Sequence, residues 1–413
     1  MAKTVLRFTL LLLALTIANT PAMTQDNNDP LFQKANELAH KYIIVDGHVD
    51  LPYRLNVRNF RLTKEFIGIP VQTDDGDFDY VRAKKGGLTC PFMSIYIPSR
   101  YQETGGAKEF ADSLIDMVNG IIEAHPDKFG PGLSPKQVCK NFKKGLISLP
   151  MGMENGAPIQ ELADVAYFQK RGIRYITLTH AKDNKICDSS YDTTHTWNGL
   201  SEFGKQVVKE MNRVGIMVDV SHISDSAFWQ VMQITDVPCI ASHSSCRAFT
   251  PGFERNMNDD MIAEMGRNGG VIMVNFGTSF LDGEISKNRD RMREELSKIL
   301  EEKGLGMRDE AAKPIIEEFK KNFKATLYAD VEKVADHIDH IVKIAGIDHV
   351  GFGSDFDGVG DSLPVGLKDV SAYPNLIYVL LKRGYSEKDI EKICYKNAFR
   401  VWKAVEKAAK KAR

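Results

Sequence analysis

The segment Tyr42-Ile43-Ile44-Val45-Asp46-Gly47-His48-Val49-Asp50 runs from an apolar, β-branched stretch into polar side chains at alternate positions. The first half has the composition of a buried strand. Alternate residues of an extended strand share a face, so His48 and Asp50 aim at one point. An imidazole and a carboxylate so placed are two ligands of a metal site.

Three more candidates repeat this placement. Glu154 follows Leu146-Ile147-Ser148-Leu149-Pro150-Met151, His222 follows Ile216-Met217-Val218-Asp219-Val220, and His243 follows Val237-Pro238-Cys239-Ile240-Ala241. A single His after a strand is ordinarily a hydrogen-bonded loop residue. Five nitrogen and oxygen donors in that position point instead to a metal centre. Five exceed the three protein ligands plus water of one catalytic zinc, so two ions sharing a carboxylate fit better. An imidazole-rich set without cysteine favours zinc over calcium or magnesium.

Short apolar runs fall at 42–46, 88–97, 145–151, 173–179, 215–220, 237–241, 269–276 and 348–353. Between most of them the spacing is helical, as in Leu162-Val165-Ala166-Phe168 and Phe203-Val207-Val208-Met211. Eight strands alternating with helices predict a closed parallel (β/α)8 barrel, whose active sites form at the C-terminal ends of the strands. A doubly wound open sheet would carry a glycine-rich phosphate loop after an early strand, and Gly47 alone does not make one. Residues 284–328 are highly charged with helical spacing and read as an inserted helical hairpin between strands seven and eight. A solvated helical face is the default for such a segment; capping the barrel mouth or a homodimer contact are the alternatives.

The 413 residues are 43% hydrophobic and 26% charged, ordinary for a globular protein. Lys plus Arg number 54 against 55 Asp plus Glu, which gives no electrostatic reason to expect nucleic acid or an anionic membrane surface as a partner. Lys3 and Arg7 precede the apolar run Phe8 to Ala18, with small residues after it. That is the pattern of a secretory signal peptide over about residues 1–22, too short for a ~30 Å hydrocarbon core. The expectation is an exported protein, periplasmic or secreted, with one barrel domain over 23–413 and no membrane anchor. Six dispersed cysteines do not form a dense disulfide framework, and Cys239 and Cys246 beside His243 read as small buried apolar residues.

The chain resembles the membrane (renal) dipeptidases, zinc peptidases with an amidohydrolase-like barrel. The resemblance spans about residues 40–407. It is carried by Val45-Asp-Gly-His-Val-Asp-Leu-Pro, Arg174-Tyr-Ile-Thr-Leu-Thr-His180, the segment from Gly199, Ser242-His-Ser-Ser, Arg255-Asn and Val350-Gly-Phe-Gly-Ser-Asp-Phe-Asp-Gly. It implies that His48, Asp50 and Glu154 hold one Zn2+, and that Glu154, His222 and His243 hold a second, with Glu154 as the bridge. It further implies that His180 stabilises the oxyanion, Arg255 receives the substrate carboxylate and Asp355 shuttles the proton. Asp357 competes for the last role, and Asp355 is preferred because it stands first after its strand. Arg255 beside Glu254 reads alternatively as a surface ion pair.

Three departures stand out. Asn155 follows Glu154 where the family usually has Gly, and the cysteines that tether animal members have no equivalents here. The family's C-terminal lipid-anchor signal is absent too. The implied activity is hydrolysis of dipeptides, with a D-residue tolerated at the C-terminal position and β-lactams opened. The alternatives are a metal-dependent amidohydrolase acting on N-acyl amino acids, cyclic amides or lactones, and a metal-binding protein that has lost catalysis.

Overall fold

The computed structural model describes residues 29–57 and 70–412; the leader expected over 1–22 lies outside them. Eight parallel strands close a barrel: β1 (Val45–Val49), β2 (Cys90–Tyr96), β3 (Met151–Glu154), β4 (Ile173–Thr177), β5 (Met217–Asp219), β6 (Ile240–Ala241), β7 (Val271–Val274) and β8 (Val350–Phe352). The ring closes where Asp46 of β1 lies opposite Phe352 of β8. Every residue of β3 to β8 is buried, as expected of strands that face side chains inside the barrel and helices outside it.

The helices form where the apolar spacing places them. In Glu202–Val214, Ser201 Oγ accepts from Gly204 N, Gly215 ends the helix at φ 87°, and Val207, Val208 and Met211 face the barrel. The C-terminal helix Asn397–Lys411 plugs the N-terminal end of the barrel. Its Phe399, Trp402 and Val405 pack with Val45, Phe92 and Met217, which lie at strand starts. The opposite end stays open for chemistry.

The run expected as strand three is split. Ile147–Leu149 pairs with Phe129–Pro131 outside the barrel, and only Met151–Glu154 enters the ring. Pro150 marks the break: it has no N–H to donate, and its carbonyl accepts from Met93 N at 2.7 Å. Glu154 is therefore the last residue of its strand and not a residue beyond it.

The expected insertion is present between β7 and β8. Helices Gly283–Glu302 and Lys313–Asn322 pack Met292, Leu296, Leu300, Ala312 and Leu327 into an apolar cluster of their own. No helix among the described residues is long and apolar enough to cross a membrane.

Candidate metal centre

The donors are set by the strand ends. The buried Asp46 carboxylate accepts from His48 N and Ser354 N at 3.0 Å each and from the Tyr373 hydroxyl, tying β1 to the end of β8. Gly47 lies against the Ser242 carbonyl so closely that a Cβ would come within 2.2 Å of its oxygen. Beyond their strands, His222 (φ 68°) and Asp355 (φ 63°) take the left-handed conformation.

These placements converge on Glu154, whose two oxygens face different partners. Oε2 lies 3.4 Å from His48 Nε2, and that nitrogen is 3.5 Å from Asp50 Oδ2. Oε1 lies 3.1 Å from His222 Nε2 and 3.3 Å from His243 Nε2. Burial penalises the Glu154 charge, but His48 and the other imidazoles outweigh it and hold the carboxyl well below the usual range.

Hydrogen bonding fixes two imidazole tautomers. The Tyr175 hydroxyl donates to Gly47 O at 3.0 Å and therefore accepts from His48 Nδ1 at 2.8 Å. Ser242 Oγ donates to Asp219 Oδ2 at 2.6 Å and accepts from His243 Nδ1 at 2.7 Å. Both rings then carry their proton on Nδ1 and aim an Nε2 lone pair into the site. Gly152 makes the first relay possible, since a Cβ there would sit 1.9 Å from the Tyr175 ring.

The donors fit metal ions. His48 Nε2 and Asp50 Oδ1 are buried without a hydrogen-bond partner among the described residues, and His222 Nε2 lies 2.8 Å from His243 Nε2. Converging lone pairs beside carboxylates are stable around cations and costly without them. Three of these donor groups each place their ligand atoms within 4.8 Å of one another: His48, Glu154 and His243; Glu154, His180 and His222; His48, Asp50 and Asp355. His180 is thus as near as the expected ligands, so proximity alone does not exclude it.

His180 edges onto the Tyr96 ring, and burial lowers its pKa, favouring the neutral form. Its Nε2 is 3.7 Å from Glu154 Oε1. Asp355 opens onto the site, with Asn275 Nδ2 donating to its Oδ2 at 2.8 Å. Asp357 turns away: its Oδ1 accepts from Arg54 at 2.9 Å and from Asp77 N at 2.6 Å.

Arg255 is no surface ion pair. It is buried beside the cavity-lining Phe280, donating to Ser244 Oγ and His243 O at 2.7 Å each, with its guanidinium 5.3 Å from the Phe280 ring centre. Its Nε has no partner among the described residues. Asn155 takes the left-handed conformation (φ 74°) that a Gly would adopt freely, and its side chain bonds Ile97 O, Gln102 and Ala157 N. All six cysteines are free, and burial pushes the Cys239 thiol up to about 12.

A cavity of about 570 Å³ opens over these groups, lined also by Tyr53, Tyr96, Tyr191, Phe280 and Arg293. Sequence reasoning missed Tyr175, Ser242, Asp219, Asn275 and Arg293. Asp219 carried a signal, being a carboxylate inside an apolar strand.

The fold and the donor set define a metal-dependent hydrolase of the barrel type. Residues 32–413 match the membrane dipeptidase family, peptidase family M19, and the chain belongs to that family of metallo-dipeptidases. It is 31% identical over 418 residues to dipeptidase ataJ of Aspergillus terreus (strain NIH 2624 / FGSC A1156), covering 94% of this chain and 90% of that one. The crystal structure of the probable dipeptidase PvdM from Pseudomonas aeruginosa superposes with a TM-score of 0.76 at 26% identity, over 92% of this chain and 99% of the other. A dipeptidase AC of the same peptidase family gives a TM-score of 0.71 at 25% identity, over 88% and 98%.

Proposed function

We propose that this chain is an exported dipeptidase with a binuclear zinc centre. The division of Glu154 between two donor sets supports the reading, its Oε2 facing His48 and its Oε1 facing His222 and His243: His48, Asp50 and Glu154 would hold one ion, and Glu154, His222 and His243 would hold the other. When bound, the pair of ions supplies a hydroxide nucleophile and polarises the scissile carbonyl.

The chain's own groups do the rest. Asp355, held by Asn275, accepts the nucleophile's proton and delivers it to the leaving amine. Burial pushes the Asp355 carboxyl up from the usual carboxylate range. His180 Nε2 donates to the charge that develops on the carbonyl oxygen. Arg255, whose Nε has no partner among the described residues, attracts the substrate carboxylate, a reason to prefer free dipeptides over cyclic amides and lactones that lack one; N-acyl amino acids carry that carboxylate and are separated by the substrate panel. Tolerance of a C-terminal D-residue and opening of β-lactam amides belong to the same reading. Export rests on the Lys3, Arg7 and Phe8 to Ala18 pattern.

Metal analysis of the purified protein with a dipeptide panel tests this. Close to two zinc ions per chain and hydrolysis of Ala-Ala and Ala-D-Ala are expected. Full activity with one ion per chain would overturn the binuclear reading, and no dipeptide hydrolysis by the zinc-loaded protein would overturn the activity.

A further inference from the structure

The charged helix Gly283–Glu302 of the insertion reaches the catalytic cavity. It is anchored by Arg289, which donates to Leu327 O at 2.9 Å and Asp361 O at 2.7 Å. One turn on, at the same face, Arg293 lines the cavity with Tyr53, Tyr191 and Phe280. Arg293 is the sole Lys or Arg among the described residues that line it. Its side chain is 58% exposed, and its one ion pair among the described residues is a 3.8 Å contact to the exposed Asp290. Such a pair contributes little and yields readily to a better partner.

The other charges on the wall are carboxylates. Asp50 and Glu154 would hold the metal ions, and Asp355 is assigned to proton transfer under the proposed function. Among the described residues a substrate therefore meets a wall whose accessible positive charge is one weakly committed guanidinium. Arg255 is buried and is assigned to the main-chain carboxylate, which every dipeptide carries. Arg293 is left to read what differs among dipeptides.

Resting on the dipeptidase reading, we infer that Arg293 is a specificity residue that selects dipeptides with an acidic side chain. A guanidinium matches a carboxylate with two parallel N–H donors, and a neutral carboxamide offers no charge to it. Its place at the mouth also draws anionic substrates in, an effect that weakens with salt.

The test compares kcat/KM of the zinc-loaded enzyme for Ala-Glu against Ala-Gln and for Glu-Ala against Gln-Ala. Each pair shares its terminal carboxylate, so the ratio isolates the side chain. In the parent enzyme the acidic member of at least one pair should be favoured about three- to tenfold at low ionic strength. Arg293→Ala should bring that ratio near one, Arg293→Glu should invert it and Arg293→Lys should keep most of it. Ratios near one in both pairs for the parent, or ratios that Arg293→Ala and Arg293→Glu leave in place, would overturn the assignment. Turnover of Ala-Gln by the parent separates this failure from failure of the dipeptidase reading, in which none of the four peptides is cut.

Discussion

Tyr175 and His48 are joined across the barrel by a hydroxyl that gives its only proton to Gly47 O, so the His48 ring must donate to it. The tyrosine thereby determines which imidazole nitrogen faces the site.

Replacing Tyr175 by Phe removes that acceptor while keeping the ring that fills the barrel above Gly152. The His48 ring is then free to turn and to place its proton on either nitrogen. Affinity for zinc should fall about 10- to 100-fold, measured by competition with a chromophoric chelator. Circular dichroism should stay at the parent's signal, and unchanged affinity would show that packing alone orients His48.

Glu154→Gln keeps the shape of the bridge and removes its charge. Zinc content should drop below two per chain, and turnover should fall with it. Metal analysis after dialysis, beside kcat for one dipeptide, checks this; two ions retained at parental turnover would contradict it.

Asp355→Asn should retain zinc and fold while losing about 10²- to 10⁴-fold in kcat. Asn275→Leu removes the amide that holds the same carboxylate and should lower kcat by a smaller factor with zinc content unchanged. If Asp355→Asn matched the parent, proton transfer would fall to another group.

Arg255→Ala should mainly raise KM and narrow the gap between a dipeptide and its C-terminal amide. In the parent that gap should be on the order of 3 kcal/mol, since the amide leaves a buried guanidinium without an anion. Equal kcat/KM for the free and amidated peptides in the parent would remove Arg255 from this role.

His337 gives a pH-dependent stability away from the chemistry. Its Nδ1 accepts from Cys246 N at 2.9 Å, its Nε2 donates to Leu281 O at 3.0 Å, and burial lowers its pKa to about 4. The folded state holds the neutral ring while the unfolded chain takes up a proton near 6.5, so unfolding gains protons as pH falls. Stability from this group is complete above 6.5 and is lost between 6.5 and about 4, about 3 kcal/mol in all. Urea titrations across that range should show the loss, and the His337→Gln variant should show a shallower slope.

The barrel was legible, and so was the convergence of its candidate donors, because each of them ends an apolar run, a local pattern. The split at Pro150 was not, because the run 145–151 is continuously strand-like and only tertiary pairing assigns its halves to different sheets. Tyr175 and Ser242 were invisible as relays because their partners lie on other strands. Arg293 was obscured by its neighbours, since a helix so rich in charge reads as a solvated face.

The insertion's separate apolar cluster divides the molecule's tasks. Its helices keep their own packing, so their outer residues can drift, or the whole hairpin can be exchanged, with little disturbance at the strand ends that carry the candidate metal donors. Diversification among such chains would then proceed by remodelling the rim over an unchanged base, and a transplanted hairpin should carry its substrate preference with it.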